Sequence, residues 1–149
     1  MTKHSQISVS TCNINVLHHK TIDDKTTNQH FVNSIKHHDF IFLTETWSDA
    51  ATVISDFKAI CTRTATSKSK RSCHRSGGIT LFVKNEYQNM VTIANQTTNT
   101  LWCKIYKTIA NYDKDVNLCG IYIPPVNSDY FDEEIFDYLE NDIIYFSKK

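Results

Sequence analysis

The feature that most constrains this chain is the run Phe40-Ile41-Phe42-Leu43, with His37-His38-Asp39 before it and Thr44-Glu45 after it. A continuous apolar run this short, bounded by polar residues, reads as a strand covered on both faces. Upstream, Ile7-Ser8-Val9-Ser10-Thr11-Cys12 alternates apolar and polar, the period of a half-buried strand. Between the two runs Phe31, Val32 and Ile35 fall at helical spacing, after a polar stretch from His18 to Asn28. Strand, helix and strand in this order predict a βαβ-like opening.

Downstream the pattern returns to short strands. Gly77-Gly78 opens Ile79–Lys84, and Met90–Ile93, Leu101–Tyr106 and Val116–Ile123 follow, the last two separated by a turn around Asn111 to Lys114. From Thr62 to Ser76 the chain is rich in Ser, Thr, Lys and Arg, which predicts an exposed loop. Pro124-Pro125 ends the last strand, because proline has no amide to give a ladder. Ser128 or Asp129 is then placed to cap a helix, with Asp132, Glu133 and Glu134 in its first turn at the positive end of the dipole. Phe131, Ile135, Leu139 and Ile143, widened by Phe136 and Phe146, form the stripe expected to face the sheet.

Composition narrows the class. At 149 residues the chain is about one domain long, and its 3 glycines and 2 prolines leave little room for linkers. Sixteen basic residues balance sixteen acidic ones, so global charge does not mark a nucleic-acid binder and any such role rests on local patterning. No stretch approaches the roughly 18 apolar residues of a membrane span, and the amino terminus has no long apolar segment, so an intracellular protein is expected, the nucleus included. Five cysteines without a CxxC pair speak against a disulfide framework and against a zinc clip.

Three places carry polar groups just past an apolar strand, the rim where open α/β sheets bind ligands: Cys12-Asn13-Ile14-Asn15, Leu43-Thr44-Glu45-Thr46-Trp47 and Gly120-Ile121-Tyr122-Ile123-Pro124-Pro125. Glu45, directly after a buried strand, needs a cation or a donor to offset its desolvation. A divalent metal meets that need; so does a local role as a surface carboxylate capping the next segment. Asn13 and Asn15 can equally bond nearby backbone, and Tyr122 can be a core ring with a bonded hydroxyl.

The order of these pieces resembles the amino-terminal part of the endonuclease/exonuclease/phosphatase family, and most closely the endonuclease domain of non-LTR retrotransposons. The matching stretches are ISVSTCNINVL at 7–17, DFIFLTETW at 39–47, RSGGITLFVK at 75–84, LWCKI at 101–105, CGIYIPP at 119–125 and FDEEIFDYLENDIIYFS at 131–147. The resemblance implies an α/β fold, the amino-terminal portion of a deoxyribonuclease-like two-sheet sandwich whose second sheet is largely missing, with residues 1–149 forming one truncated domain. It implies a magnesium-dependent phosphodiester-cleaving DNA endonuclease, manganese being an alternative ion. Glu45 then corresponds to the principal metal ligand, Asn13 helps hold the metal and phosphate, and Tyr122 orients the scissile phosphate. Asn15 and the basic residues Lys68, Lys70, Arg71 and Arg75 correspond to positions that contact the DNA backbone.

Departures from the pattern matter as well. Val16 stands where the family usually has glycine, and the 149 residues contain neither the Gly-Asp-x-Asn motif that positions the attacking water nor the Ser-Asp-His motif that supplies the catalytic histidine. All seven histidines lie at or before His74, in polar segments that read as solvated surface. The chain alone is therefore expected to be catalytically inert. A first sheet left without its partner is expected to expose an apolar face and to self-associate. The rival reading is a non-catalytic remnant that binds nucleic acid or a protein; a family cousin acting on lipid or small-molecule phosphoesters is a third.

Overall fold

In β2 (Phe40–Thr44) every residue is buried. Because side chains alternate along a strand, Phe40 and Phe42 enter one core while Ile41 and Leu43 enter another on the opposite face. The computed structural model describes residues 6–15, 17, 24–47, 53–63, 77–109 and 111–148. Within them the architecture is mixed α/β, with a sheet of five strands and a sheet of three.

The first sheet has the order β1 (Val9–Asn13), β2, β5 (Ile79–Lys84), β4 (Phe57–Arg63), β3 (Val53–Ile54). β1 (Val9–Asn13) runs parallel to β2, joined by a crossover that contains α1 (Gln29–Ile35). Asn28 starts that helix by accepting from the amides of His30 and Phe31. Ile35 of α1 joins Ile14 and Leu17 in covering Ile41, Leu43 and Phe82 on the sheet's outer face. β5 (Ile79–Lys84) lies antiparallel to β2, with Thr44 opposite Ile79.

Two strands were not expected. β3 (Val53–Ile54) and β4 (Phe57–Arg63) form a hairpin whose turn holds Asp56 at φ 70°, and β4 pairs with β5 through a register shift between Ala59 and Cys61. That bulge breaks the two-residue period, which is why the sequence conceals the strand. Thr62 and Arg63 belong to β4 rather than to the expected loop, whose remaining residues, 64–76, lie outside the described residues. β1 also departs from expectation: it is an edge strand, mostly exposed, with Val9 at 44%.

The second sheet, β6 (Val91–Gln96), β7 (Thr100–Ile105) and β8 (Val116–Ile121), is antiparallel throughout. It corrects the expectation of a bare first sheet. Val91, Leu101, Cys103 and Ile105 share one core with Phe40, Phe42, Ile79, Leu81 and Val83, so three strands suffice to cover the inner faces of β2 and β5. The contact is close at Gly120 of β8, where an added Cβ would lie 2.8 Å from Cγ and Cε1 of Phe42 and nearer still to Cδ1. Only glycine permits that approach.

α2 (Ile135–Ser147) packs on the outside of the second sheet. It starts later than the capping residues suggest. Ser128 Oγ instead accepts from the Tyr130 amide and Asp132 Oδ1 from the Glu134 amide, each closing a turn, and Glu134 is the helix N-cap. The inward stripe is Ile135, Leu139, Asp142 and Phe146; Phe136 and Ile143 are exposed at 53% and 51%. Steps of four residues drift roughly 40° each around a helix, so a strict every-fourth pattern walks off the inward face. Asp142 takes the place expected for Ile143 because Trp102 Nε1 donates to its Oδ2 at 2.9 Å, while the Trp102 ring stacks on Phe146. No helix among the described residues is long and apolar enough to cross a membrane.

Candidate functional site

Parallel pairing places the carboxyl ends of β1 and β2 side by side, with Asn13 opposite Thr44. The pairing continues past the strands: the Ile14 amide donates to the Thr44 carbonyl at 3.1 Å, and the Leu17 amide to the Thr46 carbonyl at 2.9 Å. Glu45 sits between these anchors in the left-handed region at φ 54°, and Trp47 follows at φ 48°. Such values are costly for residues with a side chain and persist only when the surroundings impose them. The Leu17 bond to Thr46, and the Trp47 amide donating to the Gly77 carbonyl at 3.1 Å, supply the constraint on either side.

The turn directs the half-buried Glu45 across the gap between the sheets, where the Tyr122 hydroxyl, 77 residues along the chain, donates to Glu45 Oε1. Tyr122 follows β8 directly, and its ring lies 3.8 Å from where a Cβ on Gly77 would stand. Burial, then the Glu45 hydrogen bond and negative charge, push the Tyr122 phenol up to about 12. The hydroxyl is thus a held donor across the neutral range. Its backbone is fixed too: the Tyr122 amide donates to the Asn99 carbonyl at 2.9 Å and Asn99 Nδ2 donates to the Tyr122 carbonyl at 3.0 Å.

Asn13 and Asn15 stand on the same rim, both exposed. Asn13 Oδ1 accepts from the Asn15 amide at 3.2 Å, which closes a local turn with Asn15 at φ 42°. Lys25 Nζ braces the turn by donating to the carbonyls of Ile14 and Asn15. The local backbone role open to Asn13 is therefore realised, and one lone pair of its amide oxygen remains. Beside Glu45, the fully buried Thr46 hydroxyl has no hydrogen-bond partner among the described residues.

The side chains of Lys68, Lys70, Arg71 and Arg75 lie outside the described residues. Of the described residues flanking that segment, Arg63 pairs with Ile79, and Ile79 with Thr44, next to Glu45.

The donors here, a carboxylate and an amide oxygen, are hard oxygens of the kind that suit magnesium, which keeps several waters and needs few protein ligands. Among the described residues no three His, Cys, Asp or Glu side chains converge. Any ion held at this rim rests on Glu45. Asn99 escapes sequence reading, with no signal beyond its place in a polar turn, whereas Thr46 lies inside the Leu43–Trp47 stretch that the sequence marks. Compared with protein-family models, with curated proteins and with solved structures, the chain finds no match.

Proposed function

We propose that the chain carries the amino-terminal half of a magnesium-dependent DNA endonuclease site of the retrotransposon type, on a deoxyribonuclease-like pair of sheets. The observation that carries this reading is the hydrogen bond from Tyr122 to Glu45, two residues far apart in sequence that the family resemblance assigns to one phosphate-handling site. Glu45, with the Asn13 amide oxygen, is the place for the ion; bound there, magnesium supplies Lewis-acid polarisation of the phosphate. Tyr122, protonated at neutral pH, has a donor to offer a phosphate oxygen. Asn15 and the basic residues Lys68, Lys70, Arg71 and Arg75 give the DNA backbone its contacts.

A second reading, a non-catalytic binder of nucleic acid or protein, draws on two observations. The 149 residues contain no Gly-Asp-x-Asn or Ser-Asp-His segment. The outer surface of α2 exposes Phe136, Tyr138, Ile143, Ile144 and Tyr145. The lack of a positioned base predicts negligible plasmid nicking by these residues alone, since general-base and oxyanion contacts each contribute factors of roughly 10² to 10³.

Manganese binding followed by electron paramagnetic resonance tests the metal assignment. Binding lost in Glu45→Gln supports it, and binding unchanged by that substitution overturns it. Duplex DNA affinity against salt tests the partner. Replacing Lys68, Lys70, Arg71 and Arg75 by alanine should flatten the log–log slope by about 0.9 for each phosphate the chain no longer neutralises. An unchanged slope removes the segment from the interface.

A further inference from the structure

Asn99 occupies the turn between β6 and β7, and its side chain bonds to the backbone of Tyr122 rather than to Glu45 or Asn13. The turn is built firmly. Thr97 Oγ1 accepts from the amides of Asn99 at 3.2 Å and Thr100 at 3.0 Å and shares a hydrogen bond with Thr100 Oγ1 at 2.7 Å, while the Thr97 amide donates to the Thr100 carbonyl at 2.9 Å. From this base Asn99 reaches the neighbouring strand twice. Its carbonyl accepts from the Tyr122 amide, adding one rung beyond the Thr100–Ile121 pair, and its side chain donates to the Tyr122 carbonyl.

The position of these two bonds gives them their weight. β8 ends at Ile121, and Pro124-Pro125 beyond Tyr122 have no amide with which to hold the chain to a strand. The phenol lies at the far end of a long side chain, so a small swing of the Tyr122 peptide carries the hydroxyl out of hydrogen-bond range of Glu45. We propose that Asn99 is the positioning residue for Tyr122, gripping its peptide on both sides so that the phenol stays on Glu45. The functional weight of the inference rests on the reading of Tyr122 given above; the grip itself is a property of this chain.

Carbon-13 NMR of the chain labelled at tyrosine Cζ, at neutral pH, reads the phenol's hydrogen bond directly. Tyr122→Phe assigns the resonance, and Glu45→Ala marks its position without the acceptor. In Asn99→Ala, and in Asn99→Asp, which keeps the shape but has no amide to donate, the Tyr122 signal should move most of the way to that mark. Thr97→Val, which breaks the turn's own bonds, should lower the melting temperature and leave the signal near its parent position. A Tyr122 signal unmoved in Asn99→Asp overturns the proposal, as does one that moves equally in Thr97→Val. The readout needs no metal or DNA, so manganese binding indifferent to Glu45 overturns the endonuclease reading without deciding the hold of Asn99 on Tyr122.

Discussion

β2 carries a carboxylate at each end, and the two ends are built differently. Before the strand, the buried Asp39 accepts from the Ser8 amide and from Ser8 Oγ and forms an ion pair with Lys84 Nζ at 2.9 Å. Burial alone would raise its carboxyl; the Ser8 amide, Lys84 and the Ser8 hydroxyl more than offset that and hold it below its ordinary value. After the strand, Glu45 stands in strained backbone, bonded to a phenol, beside a buried Thr46 hydroxyl that has no hydrogen-bond partner among the described residues. The first carboxylate is saturated and pins β1, β2 and β5 together. The second, among the described residues, accepts one side-chain hydrogen bond, from Tyr122, at the end of its strand rather than inside a network.

If that contrast is right, substitutions at the two ends should have unequal costs. The largest effect is expected for Asp39→Ala, which leaves Lys84 and Ser8 without their shared acceptor and should cost about 3 kcal/mol in denaturant titration. A loss below about 1 kcal/mol would break the comparison. Next, Gly120→Ala forces a methyl group into the Phe42 ring near the Glu45 end and should cost about 2 kcal/mol. Adding Phe42→Leu should recover part of it if the close approach of the sheets is the cause.

Thr46→Val replaces a buried hydroxyl that has no partner among the described residues with a methyl of similar shape and should stabilise the chain by about 1 kcal/mol in thermal unfolding. A destabilised variant would show that the hydroxyl has a partner. Smaller still is the net effect of Glu45→Gly. Release from the left-handed region, about 1 kcal/mol, should offset most of the lost hydrogen bond, about 1.5 kcal/mol. Finally, the two ends should titrate at opposite extremes. The contribution of Asp39 is present above its unfolded value of 3.8 and is lost as pH falls through its lower folded value. The contribution of the Tyr122 phenol is present below pH 10 and is lost as pH rises towards about 12. Tyr122→Phe should therefore flatten the alkaline limb of stability against pH.

Much of the first sheet is legible from local pattern. The apolar run of β2, the helical spacing of Phe31, Val32 and Ile35, and the glycines before β5 each act within a few residues of where they are read. β4 is not legible, because the irregularity at Ala59 and Cys61 exists only in its pairing with β5. The inward face of α2 is misread for a related reason: an aspartate enters an apolar stripe only because Trp102, forty residues earlier, donates to it. At the site, Glu45 and Tyr122 stand out as polar residues directly after strands, whereas Asn99 lies in a polar turn like any other and gains its role only from Tyr122, 23 residues away.

By itself, then, the sequence settled most of the strands and helices, β3 and β4 excepted, and which polar groups fall just beyond them, because hydrophobic period, proline and glycine act over a few neighbouring residues. Tertiary structure alone decided which of those groups meet. The Tyr122 hydroxyl comes to rest on Glu45, Gly120 against the Phe42 ring and Asn99 around the Tyr122 peptide only once two sheets close on a shared core. That closure is driven by burial of apolar surface, which has no direction of its own, so the pairings at its edge are set by packing rather than by any local signal.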